Sequence, residues 1–384
     1  MRRFVSLLFL ITLLSHLPFA AALTFALSRA GVGHAAWVAL GITCVPVAML
    51  RGRVARLRVD RPMSWWRLAL IEEPWYAHWC ATILAWPLLA LSSLTALVAH
   101  ALGAAHSSST KLGVAACASY ALALVITSYG VMVRRRWVRV RSIDVALRDL
   151  PPRFDGYRIA HLSDLHIGGL WPRARAARWA RRVNALDVDL VALTGDYVTH
   201  GDSFHEDVAQ VISSMRARDG AVAVLGNHDY FGDGDALARV LAQRGVTVLR
   251  NERCTIARGD EVITIAGVDD TWSGRASTAR ALEGAPARGT LIALTHDPQL
   301  FPELAERGAA LTLGGHTHWG QLAVPFLAAR LNLSRLTYHH HAGWYRRGDA
   351  VLYVSPGLGT TGPPLRIGAP PEITILCLRR SEGE

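Results

Sequence analysis

Five short polar clusters occur in order along the C-terminal two thirds of the chain: Asp164-Leu165-His166, Gly195-Asp196, Gly226-Asn227-His228-Asp229, Thr295-His296 and Gly314-Gly315-His316-Thr317-His318. Their side chains are carboxylates, imidazoles and one amide, with no thiolate among them. Such a donor set suits hard or borderline divalent ions, Mn, Fe or Zn, rather than soft metals. Taken singly, a DxH triplet, a GD pair or a lone histidine is a weak signal. The GNHD and GHTH runs say more, because each crowds polar side chains beside a glycine where the backbone must turn tightly.

Each cluster stands at the end of an apolar run. Arg158 to Leu162, Leu190 to Thr194, Ala221 to Leu225, Leu291 to Thr295 and Ala310 to Leu313 read as buried strands, most of them separated by helical patterns. In an open α/β sheet the carboxyl ends of the strands open onto a common crevice, so residues far apart in sequence converge there. The spacing therefore predicts one site assembled from five strand ends.

This ordered set resembles the calcineurin-like metallophosphoesterases over residues 137 to 380. The GHTHWGQ run, Val354-Ser355-Pro356-Gly357 and the closing strand Glu372 to Leu378 bring it nearest to the YkuE-like bacterial and the animal transmembrane members. The resemblance implies an α/β fold, a two-sheet sandwich flanked by helices (α/β/β/α). It also implies two divalent metal ions. Asp164, His166 and His318 would hold the first, Asp196 would bridge both, and Asn227, His296 and His316 would hold the second. His228 would be a catalytic histidine outside the ligand set. Asp229 beside it either orients that imidazole or serves as a helix N-cap or turn residue.

The first third of the chain is of another kind. Phe4 to Leu27, Gly31 to Leu50, Ala77 to Leu102 and Leu112 to Val133 are each long and apolar enough to cross a bilayer, which takes about 20 residues of helix. A change of composition near residue 136 divides a membrane domain with four predicted spans, residues 1–136, from a metallophosphoesterase domain, residues 137–384. The first span reads as retained rather than cleaved, since three further spans follow it. His16, Pro18, Pro46, Pro87 and His100 read as structural residues of a packed bundle, and no Asp, Glu, Lys or Arg falls within the four spans. The stretch from Pro62 to Trp79, with Trp65, Trp66, Trp75, Tyr76 and Trp79, reads either as a helix lying flat at the interface or as an aromatic belt at the mouth of the third span.

The chain has 41 Lys+Arg against 30 Asp+Glu, a formal charge of +11. Its arginines cluster beside apolar stretches, at Arg51, Arg53, Arg56, Arg58 and Arg61 and at Arg134, Arg135, Arg136, Arg139 and Arg141. Anchoring to anionic lipid explains that pattern, and no nucleic-acid partner is expected. With the basic flanks inside, the expectation is a multi-pass protein of the inner (cytoplasmic) membrane, its catalytic domain in the cytoplasm. The five cysteines form no CxxC pair and no disulfide framework, which fits a reducing compartment.

Other residues carry less. His161 inside a strand reads as a core histidine, and His339-His340-His341 as a solvated loop rather than an auxiliary metal site. The arginines of the segment Pro172 to Leu186 read as a solvated helix face more than as an anion site, and Asp269 and Asp270 as turn residues that either support the site or simply shape the turn. The function expected is hydrolysis of a phosphoester or pyrophosphate bond in a membrane-associated substrate, lipid-linked ones included. Two alternatives stand beside it: a membrane-anchored phosphodiesterase of a soluble nucleotide, and a non-catalytic membrane sensor or scaffold.

Overall fold

The structure, a computed structural model, describes residues 2–56, 60–101, 109–285 and 289–381. Arg58 and Leu102 lie outside the described residues, as does the His100 side chain. The chain divides into two compact units. One comprises Met1–Arg58 and Ser64–Arg134 with Pro363–Leu365, the other Arg135–Gly362 and Arg366–Glu384 with Val59–Met63.

Among the described residues four helical stretches are long and apolar enough to span a bilayer: Val5–Arg29, Ala35–Ala55, Trp65–Thr95 and Thr110–Arg136. The first is broken at His16, ahead of Pro18, and the His16 Nδ1 lies 2.7 Å from the Thr12 carbonyl oxygen. That contact gives the imidazole a structural partner inside its own helix, which is the role expected of it. The third stretch begins twelve residues before Ala77. Trp65–Arg67, a wider turn at Leu68–Glu72 and Glu73–Ala101 follow one another without a break, so the aromatic segment continues into the third span as one helix. A separate flat helix is not formed. The longer helix also carries Glu72 and Glu73, both buried, and Glu72 pairs with Arg53 at 2.9 Å. The expectation of spans free of charged residues therefore holds only for the shorter limits. At this end the charges neutralise each other, as buried ions must.

Among the described residues the second unit holds twelve strands: β1 Arg139–Leu147, β2 Arg158–Leu162, β3 Leu190–Thr194, β4 Ala221–Val224, β5 Val246–Val248, β6 Glu252–Arg258, β7 Glu261–Gly267, β8 Leu291–Leu294, β9 Leu311–Gly314, β10 Gly343–Arg347, β11 Ala350–Val354 and β12 Glu372–Arg380. They form two six-stranded sheets, ordered β1-β12-β2-β3-β4-β5 and β10-β11-β9-β8-β7-β6. Both are mixed. β2 to β5 run parallel, as do β7, β8, β9 and β11, while β12 against β2, β6 against β7 and β10 against β11 are antiparallel.

Alternation along the strands decides the layers. Ile159, Leu190, Ala192, Val222 and Val224 of one sheet meet Ile263, Ile265, Ile292, Leu294, Leu311 and Leu313 of the other in a single apolar core. The opposite face of the first sheet packs Ala160, Leu162, Val191 and Leu193 against Ala176, Trp179, Val183, Val208, Ile212, Leu237 and Leu241 from three helices. On the outside of the second sheet, Ala266, Leu291 and Ala293 meet Ala281, Leu282 and Leu304. Two sheets between helical layers, the α/β/β/α sandwich the resemblance implied, follow from strands apolar on both faces.

Candidate metal centre

Five strands deliver the polar clusters to one place. Beyond β2 come Asp164 and His166, beyond β3 Asp196, beyond β4 Asn227 and His228, beyond β8 His296, and beyond β9 His316 and His318. The backbone turns so sharply there that Asp164, His166, Asp196, His316 and His318 all take left-handed conformations, with φ between 45° and 68°. Such positions cost free energy for any residue with a Cβ, and they persist only where the surroundings over-determine them. Two glycines leave the necessary room. A side chain on Gly226 would strike the Asp196 carboxylate and the His296 ring, and one on Gly315 would strike Ser163 and Asp164.

Asp164, His166, Asp196 and His318 form one group of potential ligand atoms and Asp196, His296 and His316 a second, each within 4.8 Å. Asp196 is common to both. In the first group the Nε2 atoms of His166 and His318 face each other at 3.0 Å, with Asp164 Oδ1 3.3 Å from His318 and Asp196 Oδ2 3.6 Å from His166. In the second, His296 Nε2 lies 3.2 Å from Asp196 Oδ2 and 3.1 Å from His316 Nδ1. Asn227 brings a buried amide oxygen with no hydrogen-bond partner. Lone pairs converging on lone pairs and an orphaned buried oxygen fit a site built for cations, and the nitrogen and oxygen donors fit two divalent ions.

The electrostatics have the same sense. Burial alone would raise the Asp196 carboxyl, but His296, His228 and His166 hold it well below the usual carboxylate range. His296, which burial alone would lower, is pushed up to about 10 by Asp196 and Asp164. Burial pushes His166 down to about 3 and His316 to about 4, so both are neutral at pH 7, the state ligation requires. Burial and the neighbouring Asp196 push Asp164 up to about 6.

Outer contacts aim these rings. The His296 Nδ1–H donates to the Thr194 carbonyl at 2.7 Å, which turns Nε2 toward Asp196 Oδ2, 3.2 Å away. Tyr338 Oη lies 3.1 Å from His316 Nε2, and the fully buried Arg366 places Nη2 3.2 Å from His318 Nδ1 while donating to the Gly359 carbonyl. His228 stands apart from both ligand groups and is half-buried. Its Nδ1 donates to the Thr199 carbonyl at 2.6 Å, its backbone N–H to Asp196 Oδ1 at 2.9 Å, and its Nε2 lies 3.3 Å from Thr361 Oγ1.

Asp229 does not orient His228. Its carboxylate accepts the backbone N–H groups of Asp196, Tyr197, Val198 and Gly226 at 2.8–3.2 Å, so it takes the turn role and binds the loop after β4 to the loop after β3. The orienting group for His228 is instead a carbonyl, that of Thr199. Tyr197 strengthens the same junction by donating to the Val224 carbonyl at 2.6 Å.

Thr199, Tyr338, Thr361 and Arg366 were not anticipated from sequence, and none stands in a motif that would single it out. The residues given less weight resolve individually. His161 is a core histidine bonded to Thr194 Oγ1 at 2.9 Å. The histidine run is less solvated than expected: His339 is exposed, but His341 is buried, with Nδ1 3.0 Å from Asn332 and its carbonyl accepting from Thr317 at 2.8 Å. Asp269 accepts from Tyr230 Oη at 2.6 Å and so supports the GNHD turn. The helix Arg173–Asn184 buries Ala176, Trp179, Ala180 and Val183 and leaves Arg173 half exposed, paired with Asp207 at 3.5 Å.

If Asp229 ties the two loops together, Asp229→Asn, which replaces an acceptor-only group by one with two donors, should cost about 2–4 kcal/mol of stability. Thermal unfolding of the variant beside wild type measures the loss, and an unchanged midpoint would refute the role.

With this geometry in place, comparison with known proteins is direct. Residues 157–320 match the family model described as calcineurin-like phosphoesterase. The zebrafish (Danio rerio) transmembrane protein with metallophosphoesterase domain is 30% identical over 279 residues, which cover 68% of this chain and 62% of that protein, just under two thirds of its length. The uncharacterized metallophosphoesterase YkuE of Bacillus subtilis is 31% identical over 234 residues, 60% of this chain and 82% of that protein. YkoQ of the same organism is 29% identical over 251 residues, 62% and 89%. The strand-end donors, the two-sheet sandwich and these similarities lead to one conclusion: the chain belongs to the calcineurin-like phosphoesterase family, whose members are phosphoester hydrolases.

Proposed function

We propose that the chain is a dinuclear-metal phosphoesterase that hydrolyses a phosphoester or pyrophosphate bond in a membrane-associated substrate at the cytoplasmic face of the inner membrane. The observation that carries this reading is Asp196, a single buried carboxylate shared by two groups of converging donors, with a histidine beside them that belongs to neither. Residues 1–136 would form the membrane domain and residues 137–384 the catalytic one. Asp164, His166 and His318 would hold one ion, Asn227, His296 and His316 the other, and Asp196 would serve both. Mn, Fe and Zn suit these donors. Such an ion pair supplies Lewis acidity toward phosphate oxygens and an activated water at neutral pH.

The protein's own part in the chemistry centres on His228. Its Nδ1 proton is committed to the Thr199 carbonyl, so Nε2 is the nitrogen free to exchange a proton with a leaving alkoxide or to stabilise charge on a phosphoryl oxygen. Thr361 lies beside that nitrogen and would help place the substrate oxygen. The remaining donors are buried, His316 only in part, which limits the access of water to them.

The cytoplasmic orientation rests on the arginine clusters flanking the spans, and the membrane-associated substrate on a bundle of four apolar helices where one would serve as a tether. One observation favours the soluble-nucleotide alternative. Phe231 and Trp272, both well exposed, place their rings 4.6 Å from His228 and 5.6 Å from His316, where a planar base would stack. A purely structural site gains no support, because a sensor has no use for His228.

Asp196→Asn should abolish activity and lower metal content, and strong chelation should silence the wild type. Elemental analysis with a turnover assay checks both, and full turnover by a metal-free variant would sink the mechanism. His228→Ala should lower kcat by about 10²- to 10⁴-fold while both ions stay bound. Loss of an ion would instead make His228 a ligand. Reporter fusions after Arg136 and at the C-terminus should score cytoplasmic, and an external score would overturn the orientation.

A further inference from the structure

The segment between the GHTH run and the histidine run has a surface that water does not explain. Val324, Phe326, Leu327, Leu331, Leu333 and Leu336 are all exposed, Phe326 completely and Leu336 to 85%. Six large apolar side chains facing out within thirteen residues are a concentration of the kind that marks an interaction site rather than ordinary surface scatter.

The segment is built to present them. Leu322 pairs with Ile367 and Gly368, the Ala323 N–H donates to the Ile367 carbonyl at 2.8 Å, and the Val324 N–H donates to Leu331 at 2.9 Å. Asn332 closes the turn by donating to the Ala328 carbonyl at 2.7 Å and accepting from the Arg335 N–H at 3.1 Å. Beneath the loop Trp319, Ala328, Ala342 and Ala369 form a small apolar cluster of their own. The small residues thus point in and the large ones out, the reverse of what a solvated loop does. Phe326 is also held in the left-handed region, φ 67°, a cost with no return in water.

The charge around the patch selects its partner. From Ala309 to Gly348 there is no Asp or Glu, and Arg330 and Arg335 sit exposed inside the apolar segment, while Arg347 on β10 is paired with Glu306. Apolar side chains interspersed with arginine and free of carboxylates match the interfacial layer of an anionic bilayer, which takes hydrocarbon and cations together. The chain also carries four helices suited to that bilayer.

We propose that residues 322–336 form a lipid-seating loop, which inserts Phe326, Leu327 and Leu336 among the acyl chains of an anionic leaflet with Arg330 and Arg335 at its phosphates. The loop begins four residues after His318 and ends two before Tyr338, whose hydroxyl touches His316. Seating it therefore places the metal centre at headgroup level. As an account of how substrate reaches the site, the proposal rests on the membrane-associated reading above.

The test uses the full chain in vesicles of phosphatidylcholine and phosphatidylglycerol that contain a phospholipid with a photoactivatable headgroup, with crosslinks located by mass spectrometry. Crosslinks should concentrate in residues 322–336. The double variant Phe326→Asp/Leu336→Asp should lose at least about fivefold of them and roughly tenfold in kcat/KM for a lipid phosphoester in the same vesicles, while hydrolysing a short-chain soluble phosphoester as wild type does. That soluble turnover reports correct folding. Absence of crosslinks from the loop would overturn the proposal, as would a double variant altered only in oligomeric state, which would make the patch a contact between copies. Should wild type prefer the lipid ester without loop crosslinks, the loop proposal fails and the substrate reading stands. Loop crosslinks without that preference support lipid seating and overturn the substrate reading.

Discussion

A carboxylate sealed from water keeps its charge only among compensating groups, and Asp196 is 1% exposed. Much of the sheet unit near it can be understood as meeting that requirement. His296 and His166 approach its Oδ2, the His228 N–H donates to its Oδ1, its own N–H is held by Asp229, and its carbonyl accepts from the His166 N–H at 3.0 Å. The ends of four strands, β2, β3, β4 and β8, thereby answer to one side chain. None can shift alone without leaving a buried charge or a buried lone pair unpaired, and that rigidity suits a candidate metal-binding cluster.

Such convergence strains the chain. Five of the residues at the centre are held left-handed, at a cost on the order of 1 kcal/mol or more each. The two-sheet core offsets it by burying apolar strands on both faces, and Asp229 and Tyr197 transmit that stability to the loops by tying the end of β3 to the end of β4. The division of labour is physical. Core strands hold the loops at fixed spacing, backbone-accepting side chains fix their shape, and the imidazoles are left free to direct lone pairs inward.

The two units obey different solvation rules. In the helical unit large apolar side chains such as Leu10, Leu91 and Val125 lie exposed, and the Arg53–Glu72 pair is buried. In the sheet unit most large apolar residues are buried, with Phe231, Trp272 and the segment after His318 among those that are not. Composition alone, a long apolar third followed by alternating apolar and arginine-bearing segments, was enough to divide the chain into these two kinds of structure.

What the sequence determined by itself was local in origin. Apolar runs of strand length, glycines at tight turns and the chemical types of Asp164, His166, Asp196, Asn227, His228, His296, His316 and His318 can all be read within a few residues. The rule that strand ends share a crevice made one site of them. What only the tertiary structure decided were directions and partners. Whether Asp229 serves His228 or the backbone depended on loops more than thirty residues apart in sequence, and an Asp beside a His looks the same in either case. Arg366 meets His318 across 48 positions and Tyr338 meets His316 across 22, in segments without a motif. The aromatic stretch near Trp65 was open between two readings until the helix ran on through it, because an interfacial helix and the start of a span share one composition. Hydrophobic periodicity and side-chain chemistry are properties of neighbours in sequence, whereas a hydrogen bond needs a direction in space, and that direction exists only after the chain has folded.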